Sequence, residues 1–238
     1  MPNTLEAIIG IDRQVELLRR VSIFSHLDEL VLRDLARRMT LRRWAGGAII
    51  VGQDDLDTAL YVLYAGRAKV SLFGENGREM TLTVLGSGDF FGELSIVDGK
   101  PRSANVVAVD DSVLLVLDHQ AFRDHLTRHP RTAMALLRVL AGRLRQSDEV
   151  IGNLALHDVN SRLIRTLLAL ADENGERHEE GIMIRYRPTQ QDLANMVGTC
   201  RETVSRALSA MARRGLVVSR GRTLLLRRAL VESVRRAA

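Results

Sequence analysis

Apolar residues recur along this chain in three rhythms. Leu27, Val31 and Leu35 return every four residues, which keeps them on one helical face. Ahead of them, Ser25-His-Leu-Asp28 has capping-box spacing, with the serine set to accept from early helix N–H groups. From about Arg42 to Leu117 the runs shorten to Ala48–Val51, Leu60–Leu63, Ala68–Phe73, Met80–Leu85 and Val113–Leu117. Gly46-Gly47, Gly66 and Gly86-Ser-Gly88-Asp89 punctuate them, and Asn76-Gly77 signals a hairpin, because a type I′ turn needs positive φ at both central residues. Many short strands at this spacing predict a small antiparallel barrel or roll.

From Pro130 the rhythm is helical again. Leu137, Leu140, Leu144, Ser147, Ile151 and Leu154 alternate steps of three and four, a coiled-coil seam with Ser147 as its polar member. One long helix with so narrow a stripe predicts a parallel homodimer. Asp158 and Asn160 offer caps and a hinge, with helices expected from Ser161 to Asp172 and from Thr189 onward. Leu216–Leu226 reads as a hairpin folded at Ser219-Arg220-Gly221-Arg222, with a short helix after Arg228. The whole is α+β.

The 238 residues suffice for one or two domains, and 46% apolar content suffices for a core. A single cysteine excludes an internal disulfide framework and a four-cysteine cluster. No apolar run approaches the roughly 20 residues that span a bilayer, and residues 1–20 lack signal-peptide patterning, so the expectation is a cytoplasmic protein without membrane contact. Charge is more informative once divided. The chain carries 34 Lys and Arg against 29 Asp and Glu, a net +5. Val159–Ala238 holds 15 Arg and 8 acidic residues (+7), leaving the first 158 residues with 19 basic and 21 acidic groups (−2). A basic module on a near-neutral one points to a polyanion, nucleic acid first and anionic membrane second.

Two constellations carry chemistry. Thr189-Gln-Gln-Asp-Leu-Ala-Asn-Met-Val-Gly-Thr-Cys-Arg-Glu-Thr-Val-Ser-Arg-Ala-Leu208 has helix-turn-helix logic. Ala194 is small where helices cross, Gly198 supplies the turn, and Leu193, Val197, Val204 and Leu208 can share a core. Arg201, Glu202 and Arg206 fall on one face of the second helix, where arginine can pair with guanine and glutamate with cytosine. Thr189, Gln191 and Thr203 join them as candidate DNA contacts, and Arg220 and Arg222 on the hairpin suit phosphates. The second constellation is Phe91-Gly-Glu-Leu-Ser-Ile-Val-Asp-Gly-Lys-Pro-Arg-Ser-Ala104. At Gly92, Glu93 and Leu94 the backbone can approach an anion, Arg102 and Ser103 can hold a phosphate, and Glu93 can accept from ribose hydroxyls.

From about Leu17 to Arg227 the chain resembles the cyclic-AMP receptor protein family of bacterial regulators. The resemblance rests on Gly46-Gly-Ala-Ile-Ile50 through Gly66, the cassette Gly92–Ala104, Gly152-Asn-Leu-Ala155 and Arg201-Glu-Thr-Val204. It implies a cyclic-nucleotide-binding β-roll over 1–129, a long dimerisation helix over 130–157 and a winged helix-turn-helix over 158–238. It further implies Glu93 on the ribose 2′-hydroxyl, Arg102 and Ser103 on the cyclic phosphate, Arg143 beside the nucleotide, and Ser147 and Asp148 at the purine. The partners implied are palindromic double-stranded DNA of TGTGA type and RNA polymerase. The segment Glu173–Gly181, where relatives meet polymerase, is too dissimilar here to carry that role across.

Asp148 departs from the hydroxyl residue usual in that family. A carboxylate accepts from the adenine amino group, and equally from guanine N1–H and its 2-amino group. Cyclic AMP is therefore the first effector and cyclic GMP its rival; a nucleotide-independent regulator is a further alternative, which the complete cassette opposes. Cys200 reads as a passive helix-start residue rather than a redox switch, and the His125/His129 pair as solvated surface rather than a metal site. No metal is expected. Hydrolase-elbow, Walker and zinc-protease motifs are missing, so the chain is not read as an enzyme. A nucleotide-sensing interaction module and a DNA-compacting protein acting through charge alone are the rivals from other classes.

Overall fold

The structure, a computed structural model, describes residues 9–74, 79–185, 187–221 and 223–235, without the side chains of 149–150, 153–155 and 233–235. Asn76-Gly77, Arg222 and the side chain of Leu154 thus lie outside the described residues. The chain divides into two compact units, residues 1–73 with 81–147, and residues 74–80 with 148–238.

The first unit opens with α1 (Ile11–Arg20) and α2 (Glu29–Arg38) and continues through β1 (Thr40–Trp44), β2 (Ile49–Val51), β3 (Leu60–Ala65), β4 (Ala68–Phe73) and β5 (Glu79–Leu85). It then runs through β6 (Phe90–Phe91), α3 (Glu93–Asp98), β7 (Asn105–Ala108), β8 (Ser112–Leu117) and α4 (His119–Arg128) into α5 (Pro130–Leu156), which leaves the first unit after Ser147. The strands form two four-stranded sheets, ordered β1-β8-β3-β6 and β2-β7-β4-β5, in which β1-β8, β8-β3, β3-β6, β2-β7 and β7-β4 pair antiparallel. Successive strand residues point to opposite faces. In the first sheet Leu60, Val62, Leu115 and Leu117 join a core with Leu18, Phe24, Leu32 and Leu35 of the helical layer. Their alternates Tyr61, Leu63, Leu114 and Val116 join a second core with Ile50, Val106 and Ala108 of the other sheet. A sheet buried on both faces needs continuous apolar runs, which is why Leu60–Leu63 and Val113–Leu117 lack polar alternation.

The capping role expected of Ser25 is corrected. The N–H groups of Phe24 and Ser25 both bond back to the Val21 carbonyl, so the turn runs on and α2 begins only at Glu29, after Asp28. The Ser25 hydroxyl donates to the Ser22 carbonyl instead. The 27-residue α5 buries Leu136 in the first core and packs Leu140, expected on the seam, partly against it. Leu137, Leu144 and Ile151, seven residues apart, stay 58%, 63% and 63% exposed.

The second unit contains α6 (Val159–Asn174), β9 (Gly175–His178), β10 (Gly181–Ile184), α7 (Gln190–Val197), α8 (Arg201–Arg213), β11 (Val217–Arg220), β12 (Thr223–Arg227) and α9 (Arg228–Arg235). Asp158 caps α6 by accepting from the Ser161 N–H at 2.7 Å. One antiparallel sheet, β11-β12-β10-β9, shares a core with the helices through Leu163, Leu167, Leu193, Val204, Leu224 and Leu226. The fold is α+β. Among the described residues no helix is long and apolar enough to cross a membrane.

His125 is likewise corrected: it is buried, not solvated. Its ring lies edge-on to Phe24, and its Nε2 is 3.2 Å from Thr132 Oγ1, which also lies 3.3 Å from His26 Nε2. Burial, then the neighbouring His129, His26 and Arg128, push its pKa down to about 4, against a smaller opposing effect of Asp34. The unfolded chain then binds a proton between about pH 6.5 and 4 that the folded unit does not, so stability is lost as pH falls through this window. Acidification should cost up to about 3 kcal/mol there. Urea melts across that range should show His125→Gln with a flatter pH dependence than wild type.

Candidate functional site

The cassette begins where β6 ends. Phe91 stacks on Tyr61, centroids 5.0 Å apart and planes 5° off parallel, and both rings are buried. Gly92 follows with φ +90°, a left-handed conformation that turns the chain into α3. A Cβ there would lie 2.5 Å from the Ala59 carbonyl oxygen and 2.6 Å from Arg102 Nη1, so both the conformation and the space require glycine.

Glu93, the first residue of α3, has a fully buried side chain. Arg143 reaches it from α5: Nη1 donates to Oε1 at 2.6 Å, Nη2 donates to the Phe90 carbonyl at 2.7 Å, and the guanidinium sits 4.9 Å over the Phe90 ring. Glu93 Oε2 is buried without a partner among the described residues. Arg102 is buried as well. Its Nη1 donates to the Gly92 carbonyl at 2.7 Å and its Nη2 to the Ala59 carbonyl at 2.8 Å, while Nε, also buried, has no partner among the described residues. Ser103 beside it is exposed, and Leu94 is 42% exposed on α3.

The structure thus brings Gly92, Glu93, Arg102 and Arg143 together. Ser147 and Asp148 are exposed on α5, and the Ser147 hydroxyl donates to the Arg143 carbonyl at 3.0 Å. Asp57 and Tyr61 were missed. Asp57 Oδ2 accepts from the Tyr61 hydroxyl at 2.6 Å and lies 3.4 Å from Arg102 Nη2. Burial opposes the Asp57 charge, but the Tyr61 hydroxyl, the Arg102 guanidinium and the Thr58 backbone N–H hold its pKa below the ordinary value. Burial and the bond to Asp57 raise Tyr61 to about 12. One orphaned acceptor and one orphaned donor, both buried, suit a ligand carrying a hydroxyl and an anionic oxygen.

In the second unit, Gly198 closes α7 at φ +70°, and the N–H groups of Gly198 and Thr199 both bond to the Ala194 carbonyl. Leu193, Ala194, Val197, Val204 and Leu208 are buried together, as their pattern requires. Arg201, Glu202 and Arg206 are exposed on α8. The Glu202 carboxyl is held below its usual pKa, chiefly by its own backbone N–H. Arg206 Nη2 donates to Thr203 Oγ1 at 3.3 Å. Thr189 caps α7: its hydroxyl accepts from the Asp192 N–H and also donates to the Asp192 carboxylate, which accepts from the Thr189 N–H. Gln191 donates to Asn195, Arg220 is exposed at the tip of β11, and Arg222 lies outside the described residues. Two arginines went unnoticed in sequence. Arg187 reaches Ser219 Oγ and the Gly221 carbonyl, each at 3.4 Å, and Arg162 donates to the Val197 carbonyl at 2.9 Å.

Residues 41–129 match the cyclic nucleotide-binding domain family, and residues 161–233 the Crp-like helix-turn-helix domain family. A CRP-like cAMP-activated global transcriptional regulator of Mycobacterium tuberculosis is 31% identical over 211 residues, 89% of this chain and 94% of that one. A cyclic AMP receptor protein of Thermus thermophilus is 36% identical over 185 residues, 77% of this chain and 82% of its own. Among solved structures, the c-di-GMP responsive global regulator CLP of Xanthomonas campestris aligns with TM-score 0.75 at 25% identity, covering 84% of this chain and 99% of that one.

Gly92 and Gly88 make a matched pair, since Gly88 has φ +91° and nothing within 4 Å of a built Cβ. Gly88→Ala should lose about 1–2 kcal/mol through backbone strain alone. Gly92→Ala should lose more, because its Cβ displaces Ala59 or Arg102. Equal losses in denaturant melts would show that the cradle yields.

Proposed function

This chain belongs to the cyclic-AMP receptor protein family of transcription regulators, and on that premise we propose that it is a homodimeric, sequence-specific DNA-binding regulator whose effector is cyclic AMP. The observation that carries the reading is the pair of orphaned buried atoms, Glu93 Oε2 and Arg102 Nε. A cyclic nucleotide supplies what each lacks: a ribose 2′-hydroxyl to donate to Glu93 and a phosphate oxygen to accept from Arg102. Gly92 and Leu94 line the approach, and Ser103 adds a hydroxyl to the phosphate.

Arg143 connects this chemistry to α5, because the guanidinium that pairs with Glu93 stands on that helix. Ser147 and Asp148, one turn further on, are the residues assigned to the purine. Asp148 keeps cyclic GMP as the second effector. The exposed Leu137, Leu144 and Ile151 stripe supports a two-fold pairing of α5 with a second copy. Effector binding would bias an existing equilibrium towards the dimer form whose recognition helices fit successive major grooves. Arg201, Glu202 and Arg206 read base edges in a palindrome of TGTGA type. Thr189, Gln191, Thr203, Arg220 and Arg222 complete the interface, mainly at phosphates. RNA polymerase is the further partner, the compartment is cytoplasmic, and no catalytic step is assigned.

Calorimetric titration with cyclic AMP, cyclic GMP and c-di-GMP should give tightest binding for cyclic AMP; tighter binding of cyclic GMP would transfer the assignment through Asp148. Binding of none of the three would overturn the cassette reading. In a band-shift assay with the preferred nucleotide, Arg206→Ala should cost about 1–3 kcal/mol on a palindromic duplex and relax preference at one base pair. An unchanged base preference would remove Arg206 from the readout.

A further inference from the structure

We propose that Asp57 is a built-in competitor for the phosphate site, its carboxylate holding the edge of Arg102 that an incoming phosphate has to occupy. The inference rests on the cyclic-nucleotide reading of the cassette and concerns what precedes binding.

The guanidinium of Arg102 is planar, and two carbonyl oxygens, of Gly92 on Nη1 and of Ala59 on Nη2, fix that plane. Of its five N–H groups, Nε–H and one hydrogen on each of Nη1 and Nη2 are left. Nε and Nη2 lie side by side on the long edge of the group, the edge that pairs with two oxygens of a carboxylate or phosphate. Asp57 Oδ2 lies against Nη2 at 3.4 Å, and Nε is unpartnered and buried. The edge is therefore half used. The same Oδ2 accepts from Tyr61 at 2.6 Å, and Tyr61 is itself fixed by its stack on Phe91. Backbone bonds hold the acidic loop to the arginine: Asp54 N–H donates to the Arg102 carbonyl and Arg102 N–H to the Asp55 carbonyl, each at 2.9 Å. Asp57 is thus carried to Arg102 by its own strand and loop, yet its side chain is 55% exposed, leaving it a path into solvent.

A phosphate completing the fork on Nε and Nη2 must displace this carboxylate or sit beside it. Both weaken binding, and the second weakens it more for a doubly charged phosphate than for a singly charged one. Asp57 therefore sets the effector concentration at which the site fills. It also discriminates against nucleoside 5′-monophosphates, which are dianionic, in favour of cyclic monoanionic diesters.

The test is calorimetric titration of the full-length chain and its Asp57→Asn and Tyr61→Phe variants with cyclic AMP, cyclic GMP and 5′-AMP. Thermal melts serve as the check on folding. Asp57→Asn should bind the cyclic nucleotides about threefold to tenfold tighter, the scale of one partly exposed ion pair removed. Its gain for 5′-AMP should be larger still. Tyr61→Phe should move in the same direction by less, and it decides the matter should the asparagine variant fail to fold. Equal or weaker cyclic-nucleotide binding by the variants would make Asp57 a strut for Arg102 and overturn this inference while leaving the nucleotide site standing. Binding by the variants but not the wild type would support it in its strongest form. No nucleotide binding by any of the proteins would remove both readings.

Discussion

Glu93 has 2% of its side chain in contact with solvent, and the architecture around it answers to that burial. A carboxylate in a protein interior is tolerated only when paired and hydrogen-bonded, because losing water costs several kcal/mol. Here the counter-ion comes from fifty residues further along the chain. Arg143 supplies one bond to Glu93 and another to the Phe90 carbonyl, and lays its guanidinium over the Phe90 ring. The long helix is therefore anchored to the strand end by charge as well as by Leu136 and its apolar neighbours. Anchoring satisfies only one carboxylate oxygen. The other, like Arg102 Nε, is buried without a partner among the described residues.

What could be read from sequence was local. Ala68–Phe73 appears as a strand with those bounds, and the helix-turn-helix core of Leu193, Ala194, Val197, Val204 and Leu208 was visible because periodicity and the Gly198 turn are properties of neighbouring residues. The small elements β6, β7 and α3 carried too few residues for a period to register. Ser25 misled because the cap spacing was present while the preceding backbone turned back on Val21. The Thr189–Asp192 box had the same kind of spacing and did form. His125 misled because its burial depends on Phe24 and Thr132, far off in sequence in one direction and across a helix break in the other. In the cassette, Gly92, Glu93 and Arg102 were legible as types. Asp57 and Tyr61 were not, since their part depends on how the loop before β3 pairs with the segment holding Arg102.

The division of charge acquires a structural meaning in the second unit. Some of the arginines there are engaged within the unit: Arg185 pairs with Glu176, Arg227 with Glu180, and Arg187 reaches across to the β11–β12 turn. Part of the basic excess is thus spent on pairing within the surface, while Arg165, Arg177, Arg201, Arg206, Arg213, Arg214, Arg220 and Arg228 are all exposed.

Arg162 joins two chain breaks with one side chain. Its Nη1 takes the carbonyl of His157, at the bend between α5 and α6, and its Nε takes the carbonyl of Val197, at the turn leading into α8. A carbonyl at each break is held by the same rigid, planar group. The two breaks are therefore tied to one guanidinium: the carbonyls of His157 and Val197 are set relative to each other by hydrogen bonds and not by the apolar core alone.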